Sequence, residues 1–151
     1  MAASNIALEI LTPHGSALPL REGEKAKKRR VSVDVPGVDA PGLKGELGVL
    51  PDHVPFITPV IPGVVRFRDG AVDRRVAVGT GFLEVTADGR VVILTERALD
   101  SAEVDVAAAT SELKDVSAEL SKEFGSIDAV EHRKLSDQQA WLEAQLRAAQ
   151  A

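Results

Sequence analysis

The chain contains no cysteine, which removes disulfides, thiolate nucleophiles and cysteine-based zinc sites together. That absence also suits a reducing compartment. Aromatic residues are scarce as well, four Phe and one Trp with no Tyr, so the core must be built from Val, Leu, Ile and Ala. Positive charge is in short supply: the net charge is −5 and the pI is near 5.2. A protein whose main partner is nucleic acid needs a basic footprint, and single-strand binders add aromatic stacking platforms. Neither is evident. Nor is there a run of about 18 uninterrupted apolar residues, so no segment reads as a membrane span. The opening MAASNIALEILTPHG lacks the basic and long apolar regions of a signal peptide. Any link to a membrane is therefore expected to run through a partner.

What is present changes character near Leu99. All eight prolines and eleven of the twelve glycines precede that point, and the remainder is rich in Ala, Glu, Leu, Ser and Lys. Punctuated, Val-rich sequence followed by Pro-free, Ala-rich sequence reads as strands followed by helices. The expected class is α+β: an N-terminal antiparallel β-sandwich over residues 1–98, then a C-terminal antiparallel α-helical hairpin over 99–151. Two Asp-Gly pairs place four strands. VVRFR and AVDRRVAV flank Asp69-Gly70, and GFLEVTA and RVVIL flank Asp88-Gly89. Asp-Gly suits a type I′ turn, in which both central residues take positive φ. Val65 and Phe67 alternate with Arg66 and Arg68, while Leu83 and Val85 alternate with Phe82, Glu84 and Thr86. Further strands are expected at 6–11, at 31–35, and around Val49 and Ile57.

A long loop is expected over about 18–44. It holds REGEKAKKRR, with six basic residues in ten, and PGVDAPGLK at 36–44. The first reads as a nucleic-acid or lipid patch or, with the rest of the chain acidic, as a solvated loop at one end of the sandwich.

In the second half, Asp100 and Glu103 have the spacing of a capping box and predict a helix start there. Leu113, Val116, Leu120 and Phe124 recur at helical spacing. Gly125 is a natural stop, and Asp128 with Glu131 predicts a restart, with Leu135, Leu142, Leu146 and Ala149 along one side. The two helices, each about 20 residues and so about 30 Å long, form an antiparallel hairpin. Their apolar stripes are narrow, and Gln138-Gln139 falls where a core residue is expected. Thin stripes imply weak anchoring, with a hairpin docked in one state and released in another.

The stretch GELGVLPDHVPFITPVIPGVV, residues 45–65, offers the best candidate for chemistry in His53 beside Asp52. A Ser-His-Asp site needs a placed serine, and no nucleophile elbow occurs. His14 and His132 lack metal-ligand spacing, Gly79-x-Gly81 lacks the third glycine of a dinucleotide fingerprint, and no Walker A motif is present. The two glycines read instead as a bulge or sharp bend between strands. The expected set of catalytic residues, metals and cofactors is therefore none. A stand-alone nucleotide-sensing module and an enzyme using His53 remain as alternatives.

The same stretch carries a resemblance. Gly45-Glu46-Leu47-Gly48-Val49-Leu50-Pro51-Asp52-His53-Val54-Pro55 resembles the G-E-x-G-[IV]-[LY]-P-x-H-x-P signature of the epsilon subunit of F-type ATP synthases. Thr58, Pro62-Gly63-x-x-Arg66, Val78 to Val85, Val91 to Leu94 and Glu96-Arg97-Ala98 continue it. The likeness runs from about Ile6 to the end and is strongest over residues 45–98.

The resemblance implies a β-sandwich followed by a helical hairpin, in a non-catalytic part of the central rotor. Such a subunit binds gamma and rests on the membrane-embedded rotor ring, coupling proton flow to ATP synthesis. It implies a peripheral place at the cytoplasmic face of a bacterial inner membrane. It also implies ring contact through Gly45, Glu46, Leu47, Gly48 and His53. Hairpins of this family can rise along gamma, meet the catalytic beta subunits and hinder ATP hydrolysis. Here the second helix has only Arg133, Lys134 and Arg147 as firm cations, with Glu131 and Glu143 nearby. Relatives that bind ATP carry [IL]-D-x-x-R-A at the first helix. This chain has Asp105 in that pattern but Ala108 where the arginine belongs, so ATP binding there is expected to be absent or weak. The segment from Leu18 to Lys44 is longer than the family's usual link between early strands.

Overall fold

The computed structural model describes residues 4–20, 30–122 and 129–150. The basic loop at 21–29, Phe124, the Gly125 stop and the Asp128 restart lie outside them. Within the described residues the strands are β1 (Ile6–Thr12), β2 (Gly15–Ser16), β3 (Val33–Val35), β4 (Val38–Gly42), β5 (Gly45–Val49), β6 (Phe56–Val60), β7 (Gly63–Asp69), β8 (Val72–Val78), β9 (Gly81–Val85), β10 (Arg90–Thr95) and β11 (Ala98–Asp100). A 3₁₀ turn (Ser101–Glu103) leads to α1 (Val106–Leu120) and α2 (Ala129–Ala149).

The strands form one hydrogen-bonded path, β11-β8-β7-β4-β6-β9-β10-β1-β2, with β3 on β1 and β5 on β4. It folds over at β4, which pairs with β7 through Val38 and Asp39 and with β6 through Gly42. Both halves of the sandwich bury alternate side chains in one aliphatic cluster, including Leu8, Ile10, Val38, Val65, Val76, Leu83 and Ile93. The antiparallel pattern has one variation: β1 runs parallel to β10.

β4 corrects the expectation of a loop through 36–44, and with β3 it divides the long loop expected over 18–44. Its Pro36, Gly37, Pro41 and Gly42 read as loop punctuation. Pro41 is tolerated because it lies between the part of β4 that pairs with β7 and the part that pairs with β6, where the ladder already changes partner. Its carbonyl still accepts from the Ile61 N–H at 3.1 Å.

The two Asp-Gly hairpins form where expected, but with other turns. Asp69 belongs to β7 and pairs with Val72, which leaves Gly70 and Ala71 as the loop. Of these only Gly70 has positive φ, at 64°, the pattern of a type II′ turn rather than I′. At the second site Ala87, Asp88 and Gly89 lie between Thr86 and Arg90, which are joined by an N–H to carbonyl bond of 2.8 Å. Gly89, at φ 82°, takes the left-handed position of a three-residue loop. Gly81 answers a different need: a Cβ there would lie 1.9 Å from the Leu94 carbonyl oxygen.

Buried charge fastens one end of the sandwich. Asp69, its side chain only 1% exposed, accepts from Arg30 Nη2 at 2.7 Å, with Arg74 Nε at 3.8 Å. The same Arg30 nitrogen donates to the Pro19 carbonyl at 2.6 Å, and Arg74 donates to the Leu20 carbonyl at 3.3 Å. Pro19, Leu20 and Arg30 are thereby tied to β7 and β8.

The helical part begins later than the capping-box spacing predicts. Glu103 does accept from the Asp100 N–H at 3.2 Å, but the turn it closes is 3₁₀. Val104 then returns to extended backbone, and α1 starts at Val106, with 15 residues against 21 in α2. Asp100 belongs to β11, whose pairing with β8 crosses the expected division near Leu99.

Candidate partner-binding surfaces

The stretch that carries the resemblance is an edge hairpin followed by a tight turn. β5 pairs along its length with β4, Gly45 opposite Gly42 and Val49 opposite Val38. Gly45 has φ 120°, a conformation that favours glycine at the start of β5. Alternation then divides the candidate residues: Leu47 packs against the core, while Glu46 and Gly48 are exposed. Gly48 leaves room for Asp39, whose Oδ1 would lie 3.2 Å from an added Cβ. Glu46 is held by Arg66 Nη1, 3.3 Å from each carboxylate oxygen, with both side chains about half exposed. A cavity of about 240 Å³ beside this pair is also lined by Pro41, Pro62 and Arg147 of α2.

His53 closes the following turn. Its N–H donates to the Leu50 carbonyl at 3.2 Å, with Pro51 and Asp52 as the central residues. Asp52 has φ 64°, which completes a type II pattern that proline starts. The His53 ring lies 4.8 Å from the Phe56 ring, and its Nδ1–H donates to the Val54 carbonyl at 2.7 Å. The imidazole thus holds the turn, and its hydrogen bond goes to backbone rather than to Asp52. Near it in the chain, Leu50, Val54 and Ile57 are each 66–70% exposed.

A second surface was not anticipated. Register aligns Pro59, Phe82, Leu94 and Leu11 in one row across β6, β9, β10 and β1 on the outer face of the sandwich. Phe82 and Leu94 are each more than half exposed. The next row holds Ile57, Glu84, Val92 and Glu9, with Glu9 bound by Arg90 at 3.0 Å. An exposed apolar row with an acidic margin makes this face a candidate for contact with another protein. The signal was present in the sequence, where Phe82 stands out of phase with Leu83 and Val85.

Comparison with known proteins adds the family. Residues 25–101 match the model for the ATP synthase delta/epsilon chain β-sandwich domain. ATP synthase epsilon chains of Anaeromyxobacter sp. (strain K) and Moorella thermoacetica are similar to it. The first is 37% identical over 110 residues, covering 73% of each chain. The second is 42% identical over 105 residues, covering 68% of this chain and 67% of its own. The chain belongs to the ATP synthase epsilon family. Two solved structures share its fold. A chain of the Euglena gracilis mitochondrial ATP synthase aligns with TM-score 0.73 at 21% identity, covering 97% of this chain and 81% of its own. A chain from the central stalk and c-ring structure of the Tetrahymena thermophila enzyme gives 0.60 at 14% identity, covering 95% and 96%.

In this epsilon-family member the hairpin meets the sandwich through α2. Trp141, Ala144 and Ala148 pack on Val64, Ala77 and Leu99, across β7, β8 and β11. Leu142, with Leu135 and Leu146, instead faces Ala109 and Val116 of α1. α2 therefore has two apolar sides, where the sequence pattern displays only the leucine side. The Arg97 guanidinium lies 4.8 Å over the Trp141 ring and donates to Gln138 Oε1 at 3.3 Å. Gln138 donates in turn to Glu112 of α1 at 2.7 Å, and Gln139 donates to the Ser117 hydroxyl at 3.3 Å. The polar pair that looked misplaced in a core bridges the two helices.

Asp105 is the N-cap of α1, accepting from the Ala108 N–H at 3.0 Å. That bond engages the carboxylate in holding the helix start. Among the described residues no group of three or more metal-ligating side chains converges. No helix there is long and apolar enough to cross a membrane, which says nothing of strands.

Proposed function

We propose that the chain is a non-catalytic, central-rotor subunit of an F-type ATP synthase, placed peripherally at the cytoplasmic face of a bacterial inner membrane. In this reading the Gly45–Gly48 hairpin with the His53 turn touches the polar loops of the membrane rotor ring, and gamma covers the apolar row Pro59, Phe82, Leu94 and Leu11. Together the two contacts couple proton flow to ATP synthesis.

The observation that carries the reading is the combination of an outward Glu46 on a short edge hairpin with a separate, uncovered apolar sheet face on the same rigid sandwich. A coupling part needs two such surfaces, because torque has to enter at one and leave at another. The names of the relatives support the same assignment. Ring contact through a hydrated hairpin and gamma contact through an apolar face also differ in kind: the first tolerates sliding encounter, the second resembles a lasting interface.

The test is affinity purification of tagged chain from its own solubilised membranes. Gamma, the catalytic subunits and the ring should be recovered together, and Phe82→Asp should lose gamma while leaving the fold intact. Recovery of a soluble chain with none of them would overturn the assignment.

The docked hairpin supplies the regulatory half. We infer that it leaves the sheet to meet the catalytic beta subunits and slows ATP hydrolysis. Truncation after Val104, which preserves β11, should raise the ATPase rate of the complex; an unchanged rate would remove this role.

A further inference from the structure

A cavity of about 710 Å³ lies on the outer face of β4, β7 and β8, lined among others by Asp39, Arg66, Arg68, Asp73 and Arg75. Register explains how it is made. Arg66 of β7 stands directly opposite Arg75 of β8, and Arg68 lies two residues further along β7 on the same face. Like charges directly opposite on one face destabilise a sheet, so the arrangement calls for a counter-charge. The described residues supply part of it. Arg66 reaches Glu46, and Arg68 Nε donates to the Gly70 carbonyl at 3.3 Å. Arg75 is half-buried and, among the described residues, has neither an ion pair nor a side-chain hydrogen bond. Asp39 opposite Arg66 and Asp73 opposite Arg68 line the same cavity without forming an ion pair with them.

We propose that this cleft is a binding site for a phosphoryl group, with Arg75 as its main donor and Arg66 and Arg68 as supporting donors. Planar guanidinium forks present paired N–H groups that match phosphate oxygens, and a half-buried arginine without a partner is the strongest of the three for that purpose. The volume falls within the range of small-ligand pockets, so a phosphate ester or polyphosphate fits as well as the free ion. The site lies near the β8–β11 pairing, where Asp100 stands opposite Val76, the residue after Arg75. It owes nothing to the rotor assignment, because it rests on strand register and charge alone. One consequence links it to the edge hairpin: a bound anion competes with Glu46 for Arg66.

The test is an NMR titration of the full ¹⁵N-labelled chain with sodium pyrophosphate, at constant ionic strength set with sodium chloride. Saturable shifts are expected at the arginine Nε–H signals of Arg66, Arg68 and Arg75 and at the amides of β7 and β8. Arg75→Gln should weaken binding about tenfold, the size expected for one lost charge-assisted bond. Glu46→Gln should strengthen it about threefold by removing a competing exposed carboxylate. These opposite directions separate a site from a folding defect. Orthophosphate and glycerol phosphate titrated in parallel distinguish the free ion from an ester as the preferred form. The proposal fails if pyrophosphate produces no saturable shift, or if Arg75→Gln leaves its affinity unchanged.

Discussion

The sandwich and the hairpin are built from similar aliphatic residues yet are held in different ways. The sandwich closes around a single cluster to which nine strands contribute, with Leu8, Ile10, Leu83 and Ile93 wholly buried. The hairpin relies on two small clusters, one between its helices and one under α2. α1 leans on α2, and α2 reaches the sheet through one indole and two alanine methyls. A part whose apolar contacts are few opens at lower free energy than the body on which it sits. Continuous burial holds the sandwich firmly, and sparse burial leaves the hairpin the more weakly held part.

The comparison breaks most readily on the sandwich side. Asp69→Ala leaves Arg30 and Arg74 facing each other in a buried site, and loss of one partner from such a group costs about 3–5 kcal/mol. The main thermal transition should fall accordingly. A change below about 1 kcal/mol would mean that water reaches these guanidinium groups.

On the hairpin side Trp141→Ala removes the one large side chain in the docking contact. Truncation of a buried aromatic costs about 3 kcal/mol or more. The loss should appear locally: amides of α1 and α2 exchange faster, while those of β7, β9 and β10 keep their protection. Equal loss in both parts would show one cooperative unit, and the contrast between body and arm would disappear. Asp105→Ala should act in the same place at about 1 kcal/mol, the usual worth of an N-cap, with Asp105→Asn restoring most of it. An effect on sandwich amides would contradict that role.

The same contrast explains what could be read from the sequence. The strands that flank the two glycine-bearing turns, β7 to β10, were legible because apolar pattern and local turn chemistry agree. β4 was not, since its prolines and glycines are compatible with a strand only where the neighbouring ladder changes partner. That is a tertiary fact. The turn types were misread because Asp69 extends β7 by one residue, which moves Gly70 into the first loop position. On the arm, Asp100 and Glu103 form the expected local contact, but extended backbone at Val104 delays the helix. The docking face escaped notice because Ala144 and Ala148 carry little hydrophobic signal, although their small size lets α2 lie close to the sheet. For the candidate contact residues, the signature located the hairpin, whereas only pairing could place Leu47 inward and Glu46 outward. The arginine cleft was the least legible, because Arg66 and Arg75 face each other only in the register that the Asp69–Val72 pair sets, and Asp39 joins them from β4.

The junction between the two parts sharpens the comparison with the smallest effect. Asp100 ends β11 and precedes the 3₁₀ turn, and partial burial raises its carboxyl above the usual aspartate value. Hydrogen bonds from the Ser101 and Ala102 amides and the positive charge of Arg74 pull it back, while Glu103 adds to the rise. A carboxyl whose pKa is higher folded than unfolded favours the native state while protonated, and that contribution is lost as pH rises through the folded value. Asp100→Asn mimics the protonated form at every pH. The variant should therefore gain stability relative to the parent as pH rises from the unfolded aspartate value of about 3.9 through the folded value, and the difference should be constant once the carboxyl is ionised in both states. Thermal melts of both proteins across this window give the sign directly. A variant that loses ground with rising pH would mean that the ionised carboxylate, bound to the two amides and facing Arg74, is the form that joins arm to body.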